Sequence, residues 1–367
     1  MRIGVNALYL IPGGVGGTEI YLRCLLQALS EIDDRNQYVI FTNRETDSAI
    51  APARPNFTVA PLPVRATSRP SRILWEQTGL PLAVRRHRLD VLFNPGFTAP
   101  VFCPCPSVTV FHDLQHKRHP EFFRWFDLPF WRLLLWLSAH RSRLLVAVSQ
   151  ATRADLLHYY RIPPEKVLVI PHGVEHVFCE ISNKRIQIKP EHCLLAVSTL
   201  HPHKNLDRLI RAFAHFHRSH PDFRLVIAGM RGFHATELEK LIAELGLQAA
   251  VRLTGWVSRN ELAELYLRAW AFINPTLFEG FGMPVLEALA AGIPTACSSI
   301  EPLRSLAGEA ALLFDPQSEA ALLDAIERIA TDSKLRARLA AAGPRRAADF
   351  SWRQAAEQTL AALTEKL

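Results

Sequence analysis

Nowhere in its 367 residues does the chain hold an apolar run long enough to cross a bilayer. Its opening, Met1-Arg2-Ile3-Gly4-Val5-Asn6-Ala7, lacks the charged start, long apolar stretch and small-residue cleavage site of a signal peptide and reads as a buried strand. Cysteine is sparse. The six residues at 24, 103, 105, 179, 193 and 297 are scattered, three of them in apolar segments. That usage predicts reduced thiols in a cytoplasmic protein rather than a disulfide framework. There is no Asp-x-Asp metal motif, no short-period repeat and no low-complexity segment. Neither half carries the full glycine fingerprint with a distant acidic residue, which argues against a dinucleotide oxidoreductase.

Half of the chain also lacks any excess of charge. Residues 171–367 carry 22 Lys and Arg against 22 Asp and Glu, whereas residues 1–170 carry 20 against 13, a net of +7. A basic half suits an anionic partner such as a nucleic acid, an anionic membrane or a phosphorylated substrate, and equally suits a solvated face with no partner. The length predicts two domains of ordinary size, and 49% apolar with 21% charged residues is the composition of a soluble globular protein.

Apolar strand-like runs alternate with amphipathic helical stretches from end to end. Strands are expected near 2–8, 37–42, 57–60, 90–93, 107–111, 144–148 and 167–170, and again near 193–198, 223–228, 250–253, 271–273, 294–297 and 311–313. Helices fall between them, the last three near 318–330, 333–342 and 351–365. Alternation of this kind implies α/β architecture, with parallel sheets covered by helices on both faces. An irregular stretch from Pro171-His172-Gly173 to Lys189-Pro190 marks a hinge between two doubly wound domains flanking a cleft. Ligands of such sheets sit at the carboxyl ends of the strands.

The most informative stretch runs from Phe272 to Ala288. A strand ends near Asn274, and a glycine-rich turn, Glu279-Gly280-Phe281-Gly282-Met283-Pro284, leads into a helix that Pro284 is placed to start. A helix N-terminus beside two glycines suits a diphosphate or sugar hydroxyls. Glu287, one turn into the helix, can accept two hydrogen bonds from a ribose diol. Glu279 can bind sugar hydroxyls or support developing positive charge. Taken singly, each glutamate reads equally as a local cap or a solvated side chain.

Two glutamates eight positions apart around Gly-Phe-Gly-Met-Pro resemble the signature of the retaining glycosyltransferases of family 4, and further segments match in order along nearly the whole chain. The resemblance implies the GT-B fold, two Rossmann-like domains facing each other across a cleft. Residues 1–175 would be the acceptor-side domain, 176–350 the nucleotide-sugar domain, and 351–367, opening on Ser351-Trp352-Arg353, a helix crossing back to the first. It implies that Glu279 and the amides of Gly280, Phe281, Gly282, Met283 and Pro284 meet the donor sugar, and that Glu287 binds the ribose.

The strand-loop-helix Val197-Ser198-Thr199-Leu200-His201-Pro202-His203-Lys204-Asn205-Leu206 is similar to the family's diphosphate-binding segment, with Lys204 as the phosphate ligand. Many relatives carry Arg where this chain has Thr199, so one positive contact is replaced by a hydroxyl. Alone, Lys204 reads as an exposed lysine starting a helix.

Pro12-Gly13-Gly14-Val15-Gly16-Gly17-Thr18-Glu19 follows the first strand and opens a helix. By itself it is a tight strand-to-helix turn; in the resemblance it is the first-domain glycine loop, with Gly16 and Gly17 against the donor phosphates. His112, at the end of a strand in Val110-Phe111-His112-Asp113, matches the family histidine beside the donor sugar, where it can donate a hydrogen bond or share a proton. Asp113 can orient it or cap the next turn. His116 completes a four-residue spacing, but zinc is rejected because the segment follows a strand and has Asp, not Glu, after the first His. His201 and His203 are loop residues beside the phosphates.

Trp75-Glu76-Gln77, Phe93-Asn94-Pro95-Gly96-Phe97 and His119-Pro120-Glu121-Phe122-Phe123 resemble a branch rich in O-antigen and exopolysaccharide enzymes, several of which use GDP-mannose or a related GDP-sugar. The implied activity is transfer of a hexosyl unit, mannosyl or related, from a nucleotide sugar to a saccharide or lipid-diphosphate-linked acceptor, with no cofactor, no metal and no nucleic acid partner. The other readings are a sugar-nucleotide epimerase on the same scaffold and a non-catalytic sugar-binding protein.

Residues 122–137 set Phe122, Phe123, Trp125, Phe126, Phe130, Trp131 and Trp136 among Arg124, Arg132 and Asp127. Burial against the sheet is the favoured reading; an interfacial helix, peripheral at the inner face of the cytoplasmic membrane, is the other.

Overall fold

Thirteen strands form two sheets in the computed structural model, which describes residues 1–14, 16–46, 48–123, 125–126 and 128–365. The chain divides into two units, Met1–Gly173 with Ser351–Leu367, and Val174–Phe350. The first holds β1 (Arg2–Asn6), β2 (Gln37–Thr42), β3 (Phe57–Pro61), β4 (Val91–Asn94), β5 (Ser107–Phe111), β6 (Leu144–Ala147) and β7 (Val167–Val169), in the order β3-β2-β1-β4-β5-β6-β7. The second holds β8 (Cys193–Val197), β9 (Arg224–Ala228), β10 (Val251–Gly255), β11 (Ala271–Asn274), β12 (Thr295–Ser298) and β13 (Leu312–Phe314), in the order β10-β9-β8-β11-β12-β13.

Every pairing is parallel. Parallel strands need crossover helices, which cover both faces, so central strands carry apolar side chains at successive positions. All residues of β4, β5, β6, β11 and β12 are buried, in keeping with that rule. Strand order reverses between β1 and β4 and between β8 and β11, and the crevices at the carboxyl ends of those strands are where sheets of this kind bind ligands.

Three segments depart from what the sequence pattern implies. The stretch expected to be irregular, 171–190, contains a helix, His176–Arg185. It buries only Phe178 and Ile181, so its periodic signal is faint. Packing against the helices Arg259–Arg268 and Met283–Ala290 holds it. The helix expected to stop at 342 runs on to Ala347 through Gly343 and Pro344. A Cβ at Gly343 would lie 2.6 Å from the carbonyl oxygen of Leu289, so the glycine permits close approach of two helices and is not a stop signal.

The third is the aromatic segment, where burial against the sheet was favoured. The helix Leu128–Arg141 buries Leu128, Leu134, Leu135, Ser138 and Ala139 but leaves Phe130, Leu133 and Trp136 exposed. Arg124 and Asp127 lie outside the described residues. Among the described residues, no helix is long and apolar enough to cross a membrane.

The C-terminal helix Trp352–Thr364 belongs to the first unit and packs on the helix Gly17–Ile32. Ser351 caps it, its hydroxyl accepting from the amide of Gln354 at 3.1 Å.

Candidate functional site

In the second unit, β8 and β11 are neighbours, and the loops leaving their carboxyl ends carry most of the residues singled out above. After β8 the chain passes Thr199, half-buried, into a short 3-10 turn, Pro202–Lys204. The rings of His201 and His203 stack there with centroids 5.8 Å apart. Asn205 follows in the left-handed region at φ 56°, a conformation its short amide side chain tolerates, and the helix Leu206–Ser219 begins. Its side-chain amide donates to the carbonyls of Pro275 and Pro316, both at 2.9 Å. The backbone carbonyl of His203 accepts from the Leu277 amide at 2.8 Å and the Thr276 hydroxyl at 3.1 Å. The two loops are thereby laced together.

That lacing brings Lys204 to Glu279. Their side chains meet at 2.6 Å, Nζ to Oε1, and retain 16% and 13% of their surface. A pair so placed is shielded enough to be stronger than a surface ion pair, yet remains reachable. Its ammonium can be handed to a harder anion, such as a diphosphate, leaving the carboxylate free for hydroxyls.

Beyond Glu279 and Gly280 the chain turns at Phe281, buried against Phe350, and at Gly282, whose φ is 105°. A Cβ at Gly282 would stand 2.3 Å from Leu303, so conformation and space both demand glycine. The helix Met283–Ala290 starts one residue earlier than expected, and Pro284 occupies its second position.

Glu287 is neither solvated nor unpartnered. It is buried, and its carboxylate accepts from the Tyr266 hydroxyl at 3.0 Å and from Nη2 of Arg259 at 3.2 Å. Burial raises its pKa, against the pull of the Arg259 charge and the Tyr266 hydrogen bond. Arg259 pairs also with Glu175, and its guanidinium lies 4.9 Å over the Phe178 ring. Arg259 and Tyr266 escaped the sequence reading because they lie 28 and 21 residues before Glu287. The one available signal was chemical: a carboxylate on an otherwise apolar helix turn, Val285-Leu286-Glu287-Ala288, needs a cation or hydroxyl from elsewhere.

The first unit places its residues at the ends of β1, β4 and β5. Gly16, at φ 61° and ψ −129°, precedes the helix Gly17–Ile32, and Gly17 is exposed with open space where a Cβ would stand. Val15 lies outside the described residues. Glu19, which stands where a dinucleotide loop would have glycine, closes this loop. It accepts from the Gly13 amide at 2.8 Å and pairs with Arg23 at 2.9 Å.

At the strand ends, the Asn6 amide donates to Oδ1 of Asn94 at 3.1 Å. Glu76 is only 2% exposed, accepts from the Thr98 hydroxyl at 2.9 Å, and has its pKa pushed up to about 7 by burial.

His112 follows β5 directly and is buried. Its Nε2 lies 2.8 Å from the carbonyl of Pro95, which can only accept, so Nε2 carries the hydrogen. Burial lowers the ring pKa to about 4, so the imidazole is neutral at ordinary pH and Nδ1 is an acceptor. Nδ1 can thus accept a hydrogen bond from a hydroxyl, whereas the expectation from the sequence was a donated hydrogen bond or a shared proton. The Asp113 carboxylate accepts from the Gln115 amide at 2.9 Å, just ahead of the helix Gln115–Arg118. His116 turns to the Tyr160 hydroxyl at 2.6 Å, away from any shared ligand with His112. Sequence reasoning missed the rings around His112: Tyr21 at 4.9 Å, Phe97 at 5.1 Å and His172 at 5.6 Å, the last stacked on Trp352 at 5.8 Å.

Comparison with known proteins identifies the family and the fold. Residues 15–178 match the family model described as Glycosyltransferase Family 4, and residues 180–346 match Glycosyl transferases group 1. O-antigen chain mannosyltransferase B of Escherichia coli is 26% identical over 288 residues, 76% of this chain and 75% of that protein. O-antigen chain mannosyltransferase RfbU of Salmonella typhimurium is 30% identical over 61% of this chain and 60% of its own length. The crystal structure of Anabaena HepE in complex with UDP and glucose superposes with a TM-score of 0.76 over the whole of both chains, at 21% identity. The fold is thus GT-B, two Rossmann-like α/β domains.

Proposed function

We propose that this chain, which belongs to the group 1 glycosyl transferases of family 4, moves a mannosyl or related hexosyl unit from a GDP-sugar to a saccharide or lipid-linked saccharide acceptor, keeping the anomeric configuration. The likeness to two O-antigen mannosyltransferases supports the sugar and a place in cell-surface polysaccharide synthesis. HepE, crystallised with UDP and glucose, supports a nucleotide sugar as donor.

The observation that carries this reading is the Lys204–Glu279 pair at the carboxyl ends of β8 and β11. Transfer breaks the bond from the anomeric carbon to a diphosphate oxygen, which keeps both electrons, and forms a bond from that carbon to the acceptor hydroxyl oxygen, whose proton leaves with the diphosphate. Lys204 neutralises the charge that develops, assisted by peptide N–H groups of the turn at 280–283 and by Thr199. Glu279 supports the electron-poor sugar, and Glu287 holds the ribose. The neutral His112 accepts a hydrogen bond from a sugar hydroxyl. Since an ammonium and peptide dipoles carry the diphosphate in this scheme, transfer proceeds in the presence of a chelator.

Release of free nucleoside diphosphate from GDP-, UDP- and dTDP-sugars, with and without a mannose-terminated acceptor and with EDTA present, tests the reading. Acceptor-dependent release from a GDP-sugar is expected, falling by about 10²–10³ in Glu279→Ala. Unchanged release in that variant removes Glu279 from the chemistry. Conversion of the donor to its epimer without acceptor replaces transfer by epimerisation.

A further inference from the structure

We propose that the outer face of the helix Leu128–Arg141, with the adjoining start of the helix Arg69–Arg86, is a docking surface for an anionic phospholipid bilayer. Among the described residues 14 large hydrophobic side chains are exposed, and eight of them fall between positions 74 and 136. Single exposed apolar residues are ordinary, whereas a contiguous concentration marks an interaction surface. Trp125 is 83% exposed and Phe126 57%. Phe130, Leu133 and Trp136 then follow at three-residue spacing, one stripe of the helix. The opposite stripe, including Leu135 and Ala139, is buried in the first unit's core.

The two helices enclose a groove of about 500 Å³ lined by Arg69, Pro70, Ile73, Leu74, Gln77 and Phe130. Its walls are apolar with a guanidinium at one side, the combination that accommodates an acyl chain beneath a phosphate. Arg69 lies 4.2 Å over the Trp131 ring, and Arg141 lies 5.5 Å over the Phe102 ring. Aromatic and basic side chains together at the edge of an apolar face suit a helix lying in a membrane interface.

Charge selects the occupant. Arg69, Arg85, Arg86 and Arg141 are exposed, and the only acid in either helix, Glu76, is buried. A second copy of the chain docking on the same face by a two-fold axis would set these arginines against their own kind. An anionic leaflet meets both the charge and the aromatic stripe. A 14-residue helix, ~21 Å long, can lie in the interface but is too short to span. The inference rests on the proposed function only in that a lipid-linked acceptor gives the docking a purpose; the surface itself stands on exposure and charge.

Flotation of the full chain with vesicles of phosphatidylcholine, alone or mixed with phosphatidylglycerol, tests it. Binding is expected to the mixed vesicles only, weakening as salt rises. Phe130→Ser with Leu133→Ser and Trp136→Ser, all exposed, should abolish it, and Arg69→Ala or Arg141→Ala should each weaken it roughly fivefold. Equal binding to neutral vesicles, absence of binding to the mixed vesicles at low salt, or binding indifferent to the triple substitution overturns the proposal. So does a dimer in sedimentation velocity that the triple variant loses, which would make the face a contact between copies. Transfer to a soluble acceptor, measured on the same proteins, keeps the two readings apart. In the unsubstituted chain, absence of docking with transfer intact sinks only the surface, and docking with no transfer sinks only the enzyme.

Discussion

Both units wind six of their strands in the same order and reverse it at the same point, yet they arm that point differently. In the second unit the loops after β8 and β11 hold opposite charges in contact, Lys204 on Glu279, with Glu287 gripped by Arg259 one helical turn on. In the first unit the corresponding strand ends hold the uncharged amides of Asn6 and Asn94 and the imidazole of His112, which burial keeps neutral, and the helix Arg69–Arg86 adds Glu76, whose carboxyl burial moves to about 7. The surface charge runs the opposite way, since residues 1–170 carry the whole net charge of +7 and the rest none. Identical topology thus sets only where a site lies. Ions that a polyanionic ligand can exchange with suit the leaving group, and neutral donors and acceptors suit uncharged hydroxyls.

The sharpest way to break this contrast is to remove the charge from the second unit. Lys204→Ala should lower the rate of transfer by about 10²–10³, with most of the loss in kcat, because the developing diphosphate charge is greatest in the transition state. A loss confined to KM would reduce Lys204 to a binding residue.

Next in size is Glu76. Burial pushes its carboxyl up to about 7 in the fold, well above the ordinary carboxyl range, and so favours the protonated form. Its contribution to stability is full below the unfolded pKa and disappears as pH rises through about 7, a change of about 3 kcal/mol. Glu76→Gln keeps an acceptor for Thr98 and does not titrate. Urea denaturation of the two proteins should show wild type losing that amount relative to the variant between pH 4.5 and 8. Parallel curves would mean that Glu76 is ionised within the fold, and the contrast between the units would weaken.

The smallest effect belongs to His112. His112→Ala should slow transfer about fivefold to tenfold, the worth of one neutral hydrogen bond. With its pKa lowered to about 4, wild type should show no limb near pH 6.5 that the variant lacks. An acidic limb in that range that disappears in His112→Ala would identify a proton-transferring imidazole.

Strands were legible to within a residue or two because a parallel strand covered on both faces has to be apolar throughout, and such runs stand out in a sequence. The helix His176–Arg185 did not stand out, since two buried residues in ten make no period. Glu279, Glu287 and Lys204 were singled out by resemblance and local spacing. The aromatic content of residues 122–137 was plain, but which side of the helix meets the core depended on its packing against β5 and β6.

The positions of the strands along the chain, the glycine-bearing turn at 280–282 and the division of charge between the halves therefore follow from the sequence alone, because each is a local pattern of apolarity, chirality or charge. Tertiary structure decided the partners: Lys204 for Glu279 across 75 residues, Arg259 and Tyr266 for Glu287, Pro95 for His112. The protonation of Glu76 and His112 followed from the same source, since burial sets a group's pKa and burial exists only once distant segments have packed.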